Sequence, residues 1–130
     1  MNPSFMDGID RTTFHPFVLA DCRETDSPCV QLQFSDHAWL LSQVGSDHIG
    51  DFYLNGYGIQ GMVVAARMLA GQEPIPDDMQ PDSEGDCCYL YFDSLETAVK
   101  TATIAHQMIH DASQRSACAR LAEDEGFDDL

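Results

Sequence analysis

The sequence predicts a small α+β domain in which a mainly antiparallel sheet is covered on one face by helices, a two-layer arrangement. Three observations predict it. Residues 17–20, 30–34 and 87–92 are short apolar or alternating runs of strand length. Residues 57–70 and 95–112 place apolar side chains at i, i+3 and i+4, the spacing of an amphipathic helix. The resulting order, β-β-α-α-β-α with room for one more strand before the last, opens with two adjacent strands and so with a hairpin. The chain's 130 residues suit one domain. We expect a polar lead-in over residues 1–14, one globular domain over 15–121, and an acidic tail over 122–130 that frays.

Taken in order, Phe17-Val18-Leu19-Ala20 is an apolar run, and Arg23 to Pro28 is rich in turn formers. Val30-Gln31-Leu32-Gln33-Phe34 alternates without a break, the period of a strand with one buried face and a solvated glutamine face. Ser35 suits a helix N-cap, with Asp36 in the first turn. Ala38, Leu41 and Val44 share one face of the helix that follows, Trp39 and Leu40 flank it, and Gly45 stops it. His48 to Gly58 holds three glycines and reads as an ordered loop. Tyr57 to Ala70 is a helix with Ile59, Met62, Val63, Ala66 and Ala70 as its stripe, ended by Gly71. Gln72 to Asp86 carries three prolines and is a loop with one short strand near Met79 and a tight turn over residues 81–86. Cys87 to Phe92 is apolar on both faces, as an interior strand is. Asp93 and Glu96 have capping-box spacing before a third helix, whose stripe is Leu95, Ala98, Val99, Ala102, Ala105, Ile109 and Ala112. That helix continues or restarts through Cys118 to Leu121.

Charge narrows the function. There are 22 acidic residues against six Lys and Arg, a net charge of −16, where a domain of this size needs a net charge of only roughly 2–8 for solubility. The excess costs stability through self-repulsion. It disfavours nucleic-acid backbones and anionic membranes as direct partners, and it fits a basic protein partner or a salt-adapted proteome. The five cysteines are odd in number and Cys87 and Cys88 are adjacent, so no disulfide framework is expected. With no signal-like or membrane-length apolar run, the expected location is the cytoplasm.

No constellation demands a catalytic or cofactor role, and neither cofactor nor metal is expected. His106 and His110 are spaced i, i+4, as in zinc hydrolases, but Gln107 stands where the catalytic Glu would be. A small metal-dependent enzyme or regulator built on this pair is one alternative to a protein-binding role; an acidic protein-interaction module within a larger complex is a further one. Asp82-Ser83-Glu84-Gly85-Asp86 lacks the spacing of a calcium loop. Gly56, Gly58 and Gly61 match G-x-G-x-x-G but follow a loop rather than a strand. The cysteines read as small buried hydrophobes, with Cys22 and Cys29 flanking the first hairpin turn.

Asn55-Gly56-Tyr57 before an amphipathic helix, then Asp82-Ser83-Glu84-Gly85-Asp86 before an aromatic strand, resembles the immunity protein 51 family of bacterial polymorphic-toxin systems. The resemblance covers roughly residues 15–112. This chain departs from the family pattern at Gly58 and Ile59, where Asp and Trp are expected, and at Ser83, where Pro is expected. The resemblance implies a cytosolic antitoxin that binds a cognate toxin domain, often a nuclease, and blocks its active site or substrate cleft. A nuclease cleft is basic, and a strongly acidic inhibitor steers to it. The partner-binding residues expected are Phe52, Tyr53, Asn55 and Tyr57 in the loop, held by a left-handed turn at Asn55-Gly56, and Asp77, Asp78, Asp82, Glu84 and Asp86 in the acidic segment.

Overall fold

The structure, a computed structural model, describes residues Met1–Leu130. Its elements are β1 (Ile9–Asp10), β2 (Val18–Asp21), β3 (Val30–Phe34), α1 (His37–Val44), β4 (His48–Ile49), β5 (Phe52–Tyr53), α2 (Gly56–Leu69), β6 (Met79–Pro81), β7 (Cys88–Phe92), α3 (Leu95–Ile109) and α4 (Ala112–Glu125), followed by a single 3-10 turn over Phe127–Asp129. Five strands form one antiparallel sheet in the order β1-β2-β3-β7-β6, and β4 and β5 form a separate small hairpin. The class is the α+β class the sequence predicts.

Alternation along the strands decides which face is covered. Leu19, Leu32 and Leu90 are register partners across β2, β3 and β7, and all three are fully buried. Burying each such side chain is worth about 1.5–3 kcal/mol. α2 and α3 lie against this row; Ala98, Ala102 and Ala105 on α3 are small enough to let the helix sit close. α2 is buried along nearly its whole length because β7, α3 and α4 all pack on it. No helix is long and apolar enough to cross a membrane.

β7 is an interior strand, as expected, but only one of its faces is buried. Cys88, Leu90 and Phe92 point to the core, while Tyr89 and Tyr91 stand half-exposed on the opposite side. The tyrosines counted as apolar in the sequence keep their hydroxyl ends on the uncovered face.

Several local expectations need correction. Asp36, not Ser35, caps α1, its carboxylate accepting from Trp39 N at 3.1 Å. The helix therefore starts one residue later, and Leu40 is the side chain it buries, while Ala38 and Leu41 are exposed. Gly45 does stop it, with φ of 81°. Ser94, not Asp93, caps α3, its hydroxyl accepting from Thr97 N at 3.2 Å. The loop over residues 48–58 contains the β4–β5 hairpin and the first turn of α2.

Both ends of the chain are built into the fold. In the lead-in, β1 pairs with β2 and Phe14 is fully buried. Asp10, also fully buried, accepts backbone N–H groups from Ser4, Thr12 and Thr13 at 2.8–3.0 Å and so ties the segment together. Burial pushes its carboxyl upward, but those three N–H groups prevail and hold it down at about 2. At the other end, Asp111 caps α4. Ala122 is fully buried, and Phe127 packs against the core. The expected fraying tail is thus the last turn of α4 and a docked 3-10 turn.

Candidate functional site

The two motifs that carry the family resemblance meet in space. The N–H of Gly56 donates to the carbonyl of Gly85 at 3.0 Å. A Cβ on Gly56 would stand 1.9 Å from the carbonyl oxygen of Glu84 and 2.6 Å from that of Cys87. One on Gly58 would stand 2.0 Å from the carbonyl oxygen of Tyr53. Gly61, the third member of the G-x-G-x-x-G match, faces the backbone of Phe127 and Asp128 at about 3 Å. The three glycines are therefore contact points for the acidic turn, for β5 and for the C-terminal turn. Asn55 is extended rather than left-handed and caps α2, its side-chain oxygen accepting from Gly58 N at 2.8 Å. The expected left-handed turn at Asn55-Gly56 is replaced by a helix start, and glycine is required there for closeness of approach.

The turn over residues 82–87 is gripped from several sides. Besides Gly56, His37 of α1 donates from Nε2 to the carbonyl of Asp86 at 2.9 Å. Ser83 N donates to the buried Gln60 Oε1 at 3.4 Å, and Glu84 and Cys87 close the turn on each other. Asp82, Glu84 and Asp86 are thereby presented from a fixed backbone, and all three are exposed.

The other expected contact residues divide. Tyr53 and Tyr57 are 51% and 41% exposed, and Tyr53 stacks on His48 at 4.8 Å. His48 Nδ1 in turn lies 2.7 Å from the carboxylate of Asp47. Phe52 is a correction: only 3% exposed, it faces inward from β5 and belongs to the core. Asp78 is a second correction. It is half-buried and accepts the Ser94 hydroxyl at 2.9 Å, so it joins β6 to the α3 cap. Burial raises its carboxyl, but bonds from Thr97 and Ser94, with Arg67 nearby, hold it below the ordinary range. Asp77 is exposed.

The sequence reading missed the open face of the sheet as a surface. Gln31 pairs in register with Tyr91 and Gln33 with Tyr89. The two tyrosine rings lie nearly parallel, 6.4 Å apart, and Gln33 Nε2 donates to Gln31 Oε1 at 2.8 Å. At one end of this face is an open hollow of about 530 Å³, whose lining includes Tyr91, Gln31, Gln80, Asp77 and Asp93 and contains no cationic side chain. The alternation of both strands carried this signal, but it needed the register to bring glutamines and tyrosines side by side.

Charge is distributed unevenly between surface and interior. Of the six cations, Arg67 and Arg115 are buried; of the 22 acids, only Asp10 is. Arg67 donates to Thr101 Oγ1 and to the carbonyl of Glu73, and Arg115 to the carbonyl of Ile109. Arg23 is held in a 2.8 Å pair with Asp21. The outer surface is thus more acidic than the composition alone conveys.

His106 and His110 do share a helix face. His106 Nδ1 and His110 Nε2 both donate to the carbonyl of His15, at 3.2 and 2.7 Å. Trp39 packs edge-on to both His15 and His110. The pair therefore joins α3 to the segment before β2 and to α1, and no set of three or more His, Cys, Asp or Glu side chains is placed to hold a metal. Cys87, Cys88 and Cys118 are buried, and burial pushes the Cys88 and Cys118 thiols up to about 12 and about 11. Cys22 and Cys29 are half-buried, and Cys22 N donates to the carbonyl of Cys29 at 2.9 Å. The chain matches no family model, no curated protein and no solved structure.

Proposed function

We propose that this chain is an immunity protein that binds a cognate bacterial toxin domain with a basic cleft and blocks it. One observation carries the reading: the fold withdraws two of its six cations from the surface while leaving every acid but Asp10 there. Such a surface attracts a basic cleft over long range and accelerates encounter, while affinity comes from a few anchors at the contact. The carboxylates that the fixed backbone of the 82–86 turn presents and the exposed Tyr53 and Tyr57 support it, since a preorganised backbone loses little freedom on binding. The sequence resemblance to immunity protein 51 points the same way.

The test is growth rescue. The C-terminal domain of a large exported protein encoded beside this chain's gene is expressed in a bacterial host, alone and with this chain. On this reading the domain alone stops growth, co-expression restores it, and the purified pair forms a stable complex. A toxic neighbour that this chain neither binds nor neutralises would overturn it.

A further inference from the structure

We propose that the uncovered face of the sheet is an arginine-binding surface for a basic protein partner, with Tyr89 and Tyr91 as the stacking platform and the hollow beside Tyr91 as the seat of a guanidinium. The inference rests on the reading of the chain as a binder of basic protein and places the contact on the molecule.

The geometry supplies the three things a guanidinium uses. It stacks on aromatic faces, and Tyr89 and Tyr91 present two nearly parallel rings on one side of one strand. Its five N–H donors need acceptors, and these stand around the rings. Gln33 Nε2 is engaged with Gln31, so Gln33 Oε1 is left to accept. Its charge needs carboxylates, and Asp77, Asp78 and Asp93 line the hollow that Tyr91 walls, Asp78 already accepting the Ser94 hydroxyl. Burial, then the nearby Asp82, raises the phenol of Tyr91, the second of these causes being the negative field that a cation would meet there. No Lys, Arg or His shares the lining, and of its acids only Asp78 has a cation, Arg67, nearby, which leaves Asp77 and Asp93 for the ligand. The acids of the 82–86 turn lie just beyond β6 on the same hairpin as Tyr89 and Tyr91.

Arginine is favoured over lysine because an ammonium is a compact, strongly hydrated charge that neither stacks nor forks across two acceptors. Nucleic acid is excluded from this face by its own charge. An open antiparallel face can simply be solvated, but solvation alone does not call for two parallel tyrosine rings, one of them walling a hollow that three carboxylates line.

The test uses the full chain and two uncharged-ended peptides, acetyl-Gly-Arg-Gly-Arg-Gly-amide and its lysine counterpart, followed by amide NMR at about 0.15 M salt, where long-range attraction is largely screened. The expected result is that shifts concentrate at Gln31, Gln33, Tyr89 and Tyr91, and that the arginine peptide binds several-fold more tightly. Tyr89→Ser with Tyr91→Ser leaves the net charge untouched and should weaken the arginine peptide about tenfold. Asp77→Asn with Asp93→Asn keeps both tyrosines in place, should the first pair fail to fold, and is compared with the same loss of two charges in Glu123→Gln with Asp124→Asn. Shifts spread over all acidic segments, including residues 123–129, with equal affinity for both peptides and no loss in either variant, overturn the proposal. In the growth assay, variants that rescue as well as the wild type overturn this face and leave the immunity reading intact. Failure of the wild type to rescue overturns the immunity reading, and the peptide titration then decides the arginine site separately.

Discussion

Gly56 lacks a side chain because the carbonyl oxygens of Glu84 and Cys87 occupy the place where one would stand. Asn55 beside it acts differently, satisfying one otherwise unpaired N–H at the start of α2. The two residues should therefore fail by different amounts. Gly56→Ala forces the turn away from the helix and should cost about 3 kcal/mol, as overpacking does. Asn55→Ala removes one cap and should cost about 1 kcal/mol. Urea unfolding of both variants measures the difference, and an Asn55 variant less stable than the Gly56 variant would contradict the close packing described. Asp10 allows a pH test. Its carboxyl is held at about 2 against an ordinary 3.8, so the charged form is favoured in the folded state. The stability this confers is present above the unfolded value and is lost as pH falls through about 2. Asp10→Asn should be about 1–2 kcal/mol less stable at neutral pH, and the gap should close as the pH drops from about 4 towards 2. A gap that persists unchanged at low pH would show that the loss came from shape rather than charge.

Among elements, the C-terminal segment separates what periodicity reveals from what it hides. Residues 122–130 hold five acids and little apolar pattern, yet Ala122 is fully buried and Phe127 packs on the core. The reason lies in α2, where Gly61 leaves room for the backbone of Phe127 and Asp128. Deleting residues 126–130 removes both the αL glycine that ends α4 and the Phe127 ring, and should lower stability by about 2 kcal/mol or more. An unchanged thermal midpoint would mean that the turn is not docked. β3, α2 and α3 were legible because each carries an apolar stripe at its own period, and β2 and β7 because each lies in an apolar run of strand length. β1, β4 and β5 are two residues long, too short for any period to mark them, although each pairs with a neighbouring strand. The helix starts at Asp36 and Ser94 were misplaced by one residue because two adjacent cap formers stand at each. The site was half legible: the acidic turn and the loop tyrosines were visible as motifs, whereas the open sheet face required the register of β3 against β7.

For the whole molecule, the same charge should act with opposite signs on folding and on binding. With two cations inside and one more paired to Asp21, the compact state holds many carboxylates with few positive neighbours. Their mutual repulsion opposes folding, and unfolding relieves it by spreading the charges apart. Salt screens that repulsion: the Debye length shrinks from about 30 Å at 0.01 M to about 8 Å at 0.15 M. Added sodium chloride in this range should therefore raise the thermal midpoint, by a few degrees if the relief is about 1 kcal/mol. Over the same range, association with the proposed basic partner should slow several-fold, because the steering field is screened together with the repulsion. Dissociation should change less, since it is set by desolvated contacts at the interface. Thermal melts and stopped-flow association on one protein preparation give both numbers. A midpoint that falls with salt would mean that attractive surface pairs dominate the fold, which the single exposed Arg–Asp pair makes hard to account for. An association rate indifferent to salt would mean that the acidic surface is an adaptation of the chain to its solvent and that recognition depends on shape alone.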